Sequence, residues 1–103
     1  MLIHQIPIKQ TSSSNGWSFN TIKIIGLLRH ILVKATTAES FDFSITDATG
    51  NAIYSTVASG ETPTGTLNVQ VQIPLRGIYT LAVANAETAS EAYTGILTVT
   101  ENA

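Results

Sequence analysis

Apolar and polar residues alternate most clearly in two stretches of the chain. In residues 67–73, four apolar side chains alternate with three amide side chains. In residues 41–46, Phe41, Phe43 and Ile45 alternate with polar residues. A period of two places the apolar side chains on one face of an extended chain. Each stretch therefore predicts a half-buried β-strand whose apolar face needs a second layer to cover it.

The four residues after the second stretch, Asp47-Ala48-Thr49-Gly50, have the composition of a tight turn. Asp suits the first position of a type I turn, and Gly accepts the left-handed conformation at the exit of a bulged hairpin. Residues 52–56 can return as the partner strand. The sequence therefore predicts a β-hairpin over residues 41–56.

Further short apolar segments are separated by turn-forming residues. These segments are 2–10, 17–20, 21–35, 78–84 and 93–100. The apolar spacing in 21–35 also fits a helix, but its β-branched residues and Gly26 favour one or two strands with a break or bulge near Gly26. Pro74 is expected to end the strand over 67–73. The pattern predicts an all-β chain, an antiparallel β-sandwich of roughly seven to eight strands with an extended N-terminal arm.

The first sixteen residues differ from the rest. Pro7 cannot donate to a ladder, so residues 2–10 form an edge strand or an arm, and residues 11–16 are a polar connector. We assign 1–16 to an extended N-terminal arm and connector, and 17–103 to the sandwich domain. An apolar arm docks on a neighbouring copy or on its own domain, and the sequence leaves both open.

Five apolar residues near this arm are candidate partner contacts. They are Ile3, Ile6, Ile8, Trp17 and Phe19. Trp17 follows the flexible connector, and tryptophan is enriched at the energetic centres of interfaces. The alternative is that Trp17 plugs one end of the sandwich.

Charged residues make up only 12% of the chain, about half the roughly 25% of typical soluble domains. Thr and Ser take their place, and they suit the solvent-facing side of a sheet. Such a surface loses less solvation energy on association than one rich in Lys and Glu. The composition therefore favours assembly, including a homo-oligomer.

Charge is unevenly distributed along the chain. Four Lys and Arg residues precede the first acid, Glu39. After the last of them, Lys34, Arg76 is the only Lys or Arg residue, against seven acids. The four are Lys9, Lys23, Arg29 and Lys34. The net charge of −2 argues against a nucleic-acid-binding domain. The segregation predicts complementary surfaces between copies or partners; the alternative is that lysines only protect an edge strand from unwanted pairing.

The sequence contains few groups that could carry out chemistry. It has no cysteine, and His4 and His30 lie in separate segments without metal-ligand spacing. Asp42 and Asp47 do not form the dense carboxylate set of a calcium loop. Neither a Gly-x-Ser-x-Gly elbow nor a phosphate-binding glycine loop occurs. We therefore expect no enzyme activity, no metal and no cofactor.

Membrane insertion and secretion are also not expected. The most apolar window, residues 22–33, is interrupted by Lys23, Arg29 and His30, and it is too short to cross a bilayer. The first residues lack the basic and continuous apolar regions of a signal peptide. The sequence therefore predicts a protein that is made in the cytosol and has no membrane partner.

Several segments together resemble a known family. They are Arg29-His30-Ile31-Leu32-Val33-Lys34-Ala35-Thr36-Thr37, Phe41-Asp42-Phe43-Ser44-Ile45-Thr46-Asp47 with Gly50 and Ile53-Tyr54, and Pro74-Leu75-Arg76-Gly77-Ile78-Tyr79-Thr80-Leu81. In these segments the chain resembles small β-sandwich proteins encoded among the virion genes of tailed bacteriophages. Gly77-Ile78-Tyr79-Thr80-Leu81-Ala82-Val83 also resembles the closing strands of bacterial prepeptidase C-terminal domains, which are secreted sandwiches.

The phage resemblance implies a non-enzymatic virion structural protein, made in the host cytoplasm. The type it implies first is a capsid decoration or cement protein that bridges neighbouring major capsid proteins. A neck, tail or baseplate accessory protein is the alternative within the same particle. A carbohydrate- or surface-binding module is a separate hypothesis, and an exposed strip of aromatic residues would favour it.

Overall fold

The structure is a computed structural model that describes residues 2–13, 15–60, 63–87 and 91–101. Within these residues the chain forms eight strands and one short helix. The elements are β1 (Leu2–Thr11), β2 (Trp17–Asn20), β3 (Ile24–Ala35), β4 (Asp42–Thr46), β5 (Ala52–Ser55), α1 (Thr56–Ser59), β6 (Thr66–Gly77), β7 (Thr80–Ala84) and β8 (Ala92–Glu101).

The strands form two antiparallel sheets of four. The first sheet has the order β1-β8-β3-β6, and the second has the order β2-β7-β4-β5. Every strand pairing is antiparallel. The prediction of an antiparallel β-sandwich is confirmed.

The core lies between the inner faces of the two sheets, as the alternation predicts. Phe41, Phe43 and Ile45 are all buried, and they pack with the inner face of the first sheet. In β6, Leu67 is buried, the next three apolar residues of the alternation are partly buried against the core, and the three amides are exposed. The two clearest alternating stretches therefore lie in opposite sheets and cover each other.

The N-terminal segment is an edge strand of the first sheet. β1 pairs with β8 over ten consecutive residues, from Leu2 with Glu101 to Thr11 with Ala92. Of the two possibilities for this segment, edge strand or arm, the structure shows the edge strand. Its backbone pairing makes residues 2–11 part of the sandwich, and not a separate extended arm.

The irregularity predicted near Gly26 lies three residues further on. β3 runs without a break through Gly26, and its register against both β6 and β8 shifts between Leu28 and His30. Against β8, Arg29 is the extra residue of a β-bulge. Against β6, Arg29 lies opposite two residues, Val71 and Gln72, so the extra residue there belongs to β6. Because of the bulge, Leu28 and Ile31 both point into the core although they are three residues apart.

Two strand ends also differ from the prediction. Pro74 does not end its strand, since β6 continues to Gly77 and Pro74 pairs with Leu27. An edge strand has one neighbour only and tolerates the missing N–H. The returning strand of the hairpin stops at Ser55, because the Ser55 hydroxyl caps α1 by accepting the Ala58 N–H, and Gly60 closes the turn.

The hairpin turn at Asp47 is confirmed. The Asp47 Oδ1 atom accepts hydrogen bonds from the Thr49 N–H (2.9 Å), the Thr49 hydroxyl (2.7 Å) and the Asn51 N–H (3.0 Å). Gly50 has a φ of 92° and donates its N–H to the Asp47 carbonyl at 3.1 Å. The hydrogen bond from the Thr49 hydroxyl, with support from the backbone N–H groups, lowers the pKa of Asp47 below its ordinary value.

The lowered pKa of Asp47 predicts a pH-dependent contribution to stability. A carboxyl group whose pKa is lower in the folded chain stabilises the fold above its ordinary pKa of 3.8, and this stabilisation is lost as the pH falls through the folded value. We expect Asp47→Asn to be less stable than the natural chain at about pH 7, and the difference in unfolding free energy should shrink as the pH falls below 3.8. Urea denaturation across this range measures the difference. A gap that stays constant with pH would contradict the prediction.

Candidate functional site

The five predicted contact residues differ in burial and fall into three groups in the structure. Ile8 and Trp17 are buried in the core, at 2% and 8% exposure. Ile6 and Phe19 are partly buried and pack against it. Ile3 is 64% exposed. Of the five residues, Ile3 alone offers most of its side chain to a partner, so the expected contact surface narrows to the start of β1.

Trp17 belongs to a cluster of aromatic rings between the sheets. Its ring centroid lies 5.9 Å from that of Phe19, 5.9 Å from that of Tyr93 and 6.4 Å from that of Phe43. The Tyr93 ring in turn meets Phe41 edge-on at 5.3 Å. This placement corresponds to the plug interpretation of Trp17 and not to a surface anchor.

A cleft opens at the end of the sandwich where β1 and β3 begin. It has a volume of about 360 Å³. Its lining residues are His4, Gln5, Ile6, Ile22, Lys23, Ile24, Ile25 and Glu101. β2 ends at Asn20, and residues 21–23 cross from the second sheet to the first. The inner side of the start of β1 is therefore left without a covering strand.

Thr21 fixes the path of this crossing. Its N–H donates to the Tyr79 carbonyl at 2.8 Å, and its hydroxyl accepts the Tyr79 N–H at 3.1 Å. Thr21 is buried, whereas the next residue, Ile22, is 81% exposed. The anchored threonine thus holds Ile22 out in the solvent beside the cleft.

Exposed aliphatic residues are concentrated at this end of the molecule. Leu2 and Ile3 at the start of β1 are 52% and 64% exposed, and Ile22 and Ile25 beside the start of β3 are 81% and 48% exposed. We call these four residues the apolar end. Such concentrations of apolar side chains mark interaction sites on folded proteins. Burial of this surface by a partner is favourable by about 25 cal/mol per Å².

Polar groups border the cleft. The His4 Nε2 atom bonds to the Glu101 carboxylate, and this contact joins the first residues of β1 to the last of β8. Lys23, also at the cleft, has no ion-pair partner among the described residues. The site therefore combines an apolar surface with the Lys23 ammonium group and the His4–Glu101 contact.

Three glutamates lie near Tyr93, toward the opposite end of the sandwich, and each accepts hydrogen bonds from neighbouring residues. Glu91 Oε2 accepts the Thr37 N–H at 2.6 Å and its hydroxyl at 3.0 Å. Glu87 Oε1 accepts the Ser40 N–H at 2.6 Å and its hydroxyl at 2.7 Å. These bonds tie loops between distant strands together, so the acids have a structural role.

The third of these acids, Glu39, lies beside the most deeply buried ring. Glu39 and Glu91 are buried, and the Tyr93 hydroxyl donates to the Glu39 carboxylate. Burial, followed by the Glu39 carboxylate, raises the pKa of Tyr93 well above its ordinary value. No local pattern in the sequence signals that Glu39 and Glu91 are buried.

No group of three or more His, Asp or Glu side chains in residues 2–13, 15–60, 63–87 and 91–101 is arranged to hold a metal ion. Over the same part of the chain, no helix is long and apolar enough to cross a membrane.

Comparison with known proteins found no relative of this chain. No protein-family model matches the chain, and no curated protein matches it in sequence.

Proposed function

We propose that this chain is a non-enzymatic structural protein of a virion, of the capsid decoration or cement type, which attaches to neighbouring major capsid proteins. The observation that carries the proposal is the apolar end. Leu2, Ile3, Ile22 and Ile25 expose aliphatic side chains at the same end of the sandwich.

The edge strands of the first sheet are poorly suited to pair with a strand from a partner. β1 and β6 are its two edge strands, and each contains a proline, Pro7 and Pro74. Proline lacks the N–H that a strand added from another chain would need, so natural proteins use it to protect sheet edges. A partner is therefore expected to bind side-chain surfaces and not to extend the sheet.

Attachment to a capsid requires an interface as large as those of other stable protein complexes. Stable protein interfaces bury about 800 Å² on each partner, with an apolar centre and a polar rim. The apolar end, with His4, Lys23 and Glu101 around its cleft, has this arrangement. A copy whose apolar end lies across the junction of two capsid subunits would contact both and so bridge them.

The carbohydrate-binding hypothesis gains no support from the placement of the aromatic rings. Trp17, Phe41, Phe43, Tyr79 and Tyr93 are buried in the core. The other two rings, Phe19 and Tyr54, are partly buried against it. Attachment to the neck, tail or baseplate would use the same contacts as attachment to the capsid. The two locations are distinguished by whether the protein co-sediments with heads or with necks and tails.

The proposal predicts that polar substitutions at the apolar end abolish attachment. We expect the double variant Ile3→Ser/Ile22→Ser to bind empty heads of its own phage at least about tenfold more weakly than the natural chain, because two exposed aliphatic contacts are lost. Co-sedimentation over a range of protein concentrations measures this change. The fold should be retained, since exposed substitutions change stability by about 0.5 kcal/mol or less.

Val57→Ser provides the matched control. Val57 is 66% exposed, as the two test residues are, but it lies on α1 away from the apolar end. This variant should bind heads as the natural chain does. Failure of the natural chain to sediment with heads, necks or tails would overturn the proposal. Point substitutions are required because removal of residues 1–16 would uncover β8 along its length.

A further inference from the structure

The outer face of the first sheet gathers most of the basic residues of the chain. In β1, Ile8 points into the core, so Lys9 points outward. Lys9 pairs with Thr94 of β8, and Thr94 pairs with Lys34 of β3. The two lysines therefore lie in one row across the sheet, two strand spacings or about 10 Å apart.

The β-bulge adds two more basic groups to this face. Arg29 and His30 are consecutive at the bulge, and both line a shallow concave surface with Gln70, Val71 and Gln72. A regular strand would have sent one of the pair inward. The bulge thus aims an arginine and a histidine to the same side as Lys9 and Lys34.

Arg76 completes the set from the neighbouring edge strand. It follows the buried Leu75 of β6 and pairs with Ile25 of β3, which is also exposed. We call the outer surface that carries Lys9, Arg29, His30, Lys34 and Arg76 the basic face. It combines three strands whose basic residues are far apart in the sequence.

Acidic side chains lie elsewhere in the described part of the chain. Asp42 and Asp47 belong to the second sheet and its hairpin turn, and Glu101 is on the same side of its strand as the buried Val99. Glu39, Glu87 and Glu91 lie in the loops at the far end. Of the described residues, none on the basic face is an Asp or a Glu, so this face has a positive potential on a chain of net charge −2.

The centre of the basic face is apolar. Pro7, Ile96 and Leu32 form the row next to the two lysines. Ile96 and Leu32 are half-buried. An apolar centre with a charged rim is the arrangement of protein–protein interfaces. The face also continues into the apolar end, since Ile3 and Ile25 point outward at its border.

The residue types on the basic face favour a protein partner over a nucleic acid. Single-stranded nucleic acids are bound by aromatic side chains on which bases stack, within a basic groove. The aromatic rings here lie in the core or against it, and none of the described ones is on the basic face. A basic surface with an aliphatic centre and no stacking rings fits a protein surface bordered by carboxylates.

We propose that the basic face docks on an acidic protein surface. This inference rests on the proposed function for the identity of the partner, a capsid protein, and adds the chemistry of the surface that is recognised. The carboxylates of the partner would lie opposite Lys9, Lys34 and Arg76, and its apolar side chains would cover Ile96 and Leu32.

The test uses the full chain and two probes. In the first arm, poly-L-glutamate is titrated into the isotopically labelled chain at low salt and followed by NMR. Amide shifts are expected on β1, β3, β6 and β8. Lys9→Gln/Lys34→Gln should weaken binding about fivefold, since two exposed charge contacts are lost. Ser18→Glu/Ala52→Glu changes the net charge equally on the exposed side of the second sheet, and it should change affinity by less than about twofold.

The second arm measures attachment of the same variants to empty heads. Loss of attachment in Lys9→Gln/Lys34→Gln, but not in the control, supports the inference. If heads bind this variant and the natural chain equally well, the inference fails and the proposed function stands. If heads bind neither, the proposed function fails and the poly-L-glutamate arm alone decides. Shifts outside the first sheet, or tighter binding of a single-stranded oligonucleotide than of poly-L-glutamate at equal salt, would overturn the inference.

Discussion

Gly95→Ala is expected to lower the free energy of unfolding by about 3 kcal/mol. Gly95 lies in β8, between β1 and β3, and pairs with Val33 of β3. A Cβ atom at this position would lie 2.1 Å from the carbonyl oxygen of Leu32 and 3.1 Å from the Cα of Val33. Both contacts are with backbone atoms, so the clash cannot be relieved by a side-chain rotation. The two central strands would have to separate.

Denaturation by guanidinium at neutral pH measures this effect, with Gly50→Ala as the control. Gly50 has a φ of 92°, but no atom lies within 4 Å of the position its Cβ would occupy. Its replacement should cost only about 1 kcal/mol, for the strained backbone conformation. Equal stability of the two variants would show that β8 and β3 are not in close contact at Gly95.

Trp17→Ala is expected to lower the free energy of unfolding by about 3–5 kcal/mol. The substitution removes the ring that contacts Phe19, Phe43 and Tyr93, and it leaves a cavity among rings supplied by both sheets. Near-UV circular dichroism reports the loss of aromatic packing, and chemical denaturation gives the change in stability.

Ile3→Ala is the paired variant, because Ile3 shares the apolar character of Trp17 but is 64% exposed. It should change stability by about 0.5 kcal/mol or less. If Trp17→Ala were as stable as the natural chain and failed to bind heads, Trp17 would be an interface anchor after all, and the core described here would be wrong at that point.

The sandwich was predictable because burial on one side of a sheet imposes a period of two on the sequence. Phe41, Phe43 and Ile45 follow that period without interruption, and their hairpin turn is encoded locally by Asp47 and Gly50. Both features depend on residues that are close in sequence. The local pattern was therefore sufficient to predict the sandwich and the hairpin turn.

The position of the bulge in β3 was harder to predict from the sequence. The slip in alternation between Leu28 and Ile31 is visible in the sequence, but glycine is the residue most often associated with such a defect, and Gly26 was the nearest one. Arg29 occupies the bulge because an exposed residue of any type can be the extra one. The sequence therefore signalled the irregularity and gave its location only to within three residues.

Contacts between distant segments were not predictable from the residues alone. Tyr93 and Glu39 are 54 residues apart, as are Glu91 and Thr37, so neither buried hydrogen bond leaves a local pattern. Trp17 is packed in the core by Phe43 and Tyr93, whose rings come from two distant segments. In the same way, the basic N-terminal third predicted a charged surface, but only the strand order brings Arg76 beside it.

The segregation of charge between the two sheets has a consequence for the speed of binding. Positive groups on one side and Asp42 and Asp47 on the other give the sandwich an electric dipole across its thickness. In the electric field of an acidic partner surface, this dipole orients the approaching molecule with its basic face toward the partner. More diffusional encounters then arrive in the binding orientation, and added salt should slow association far more than it hastens release.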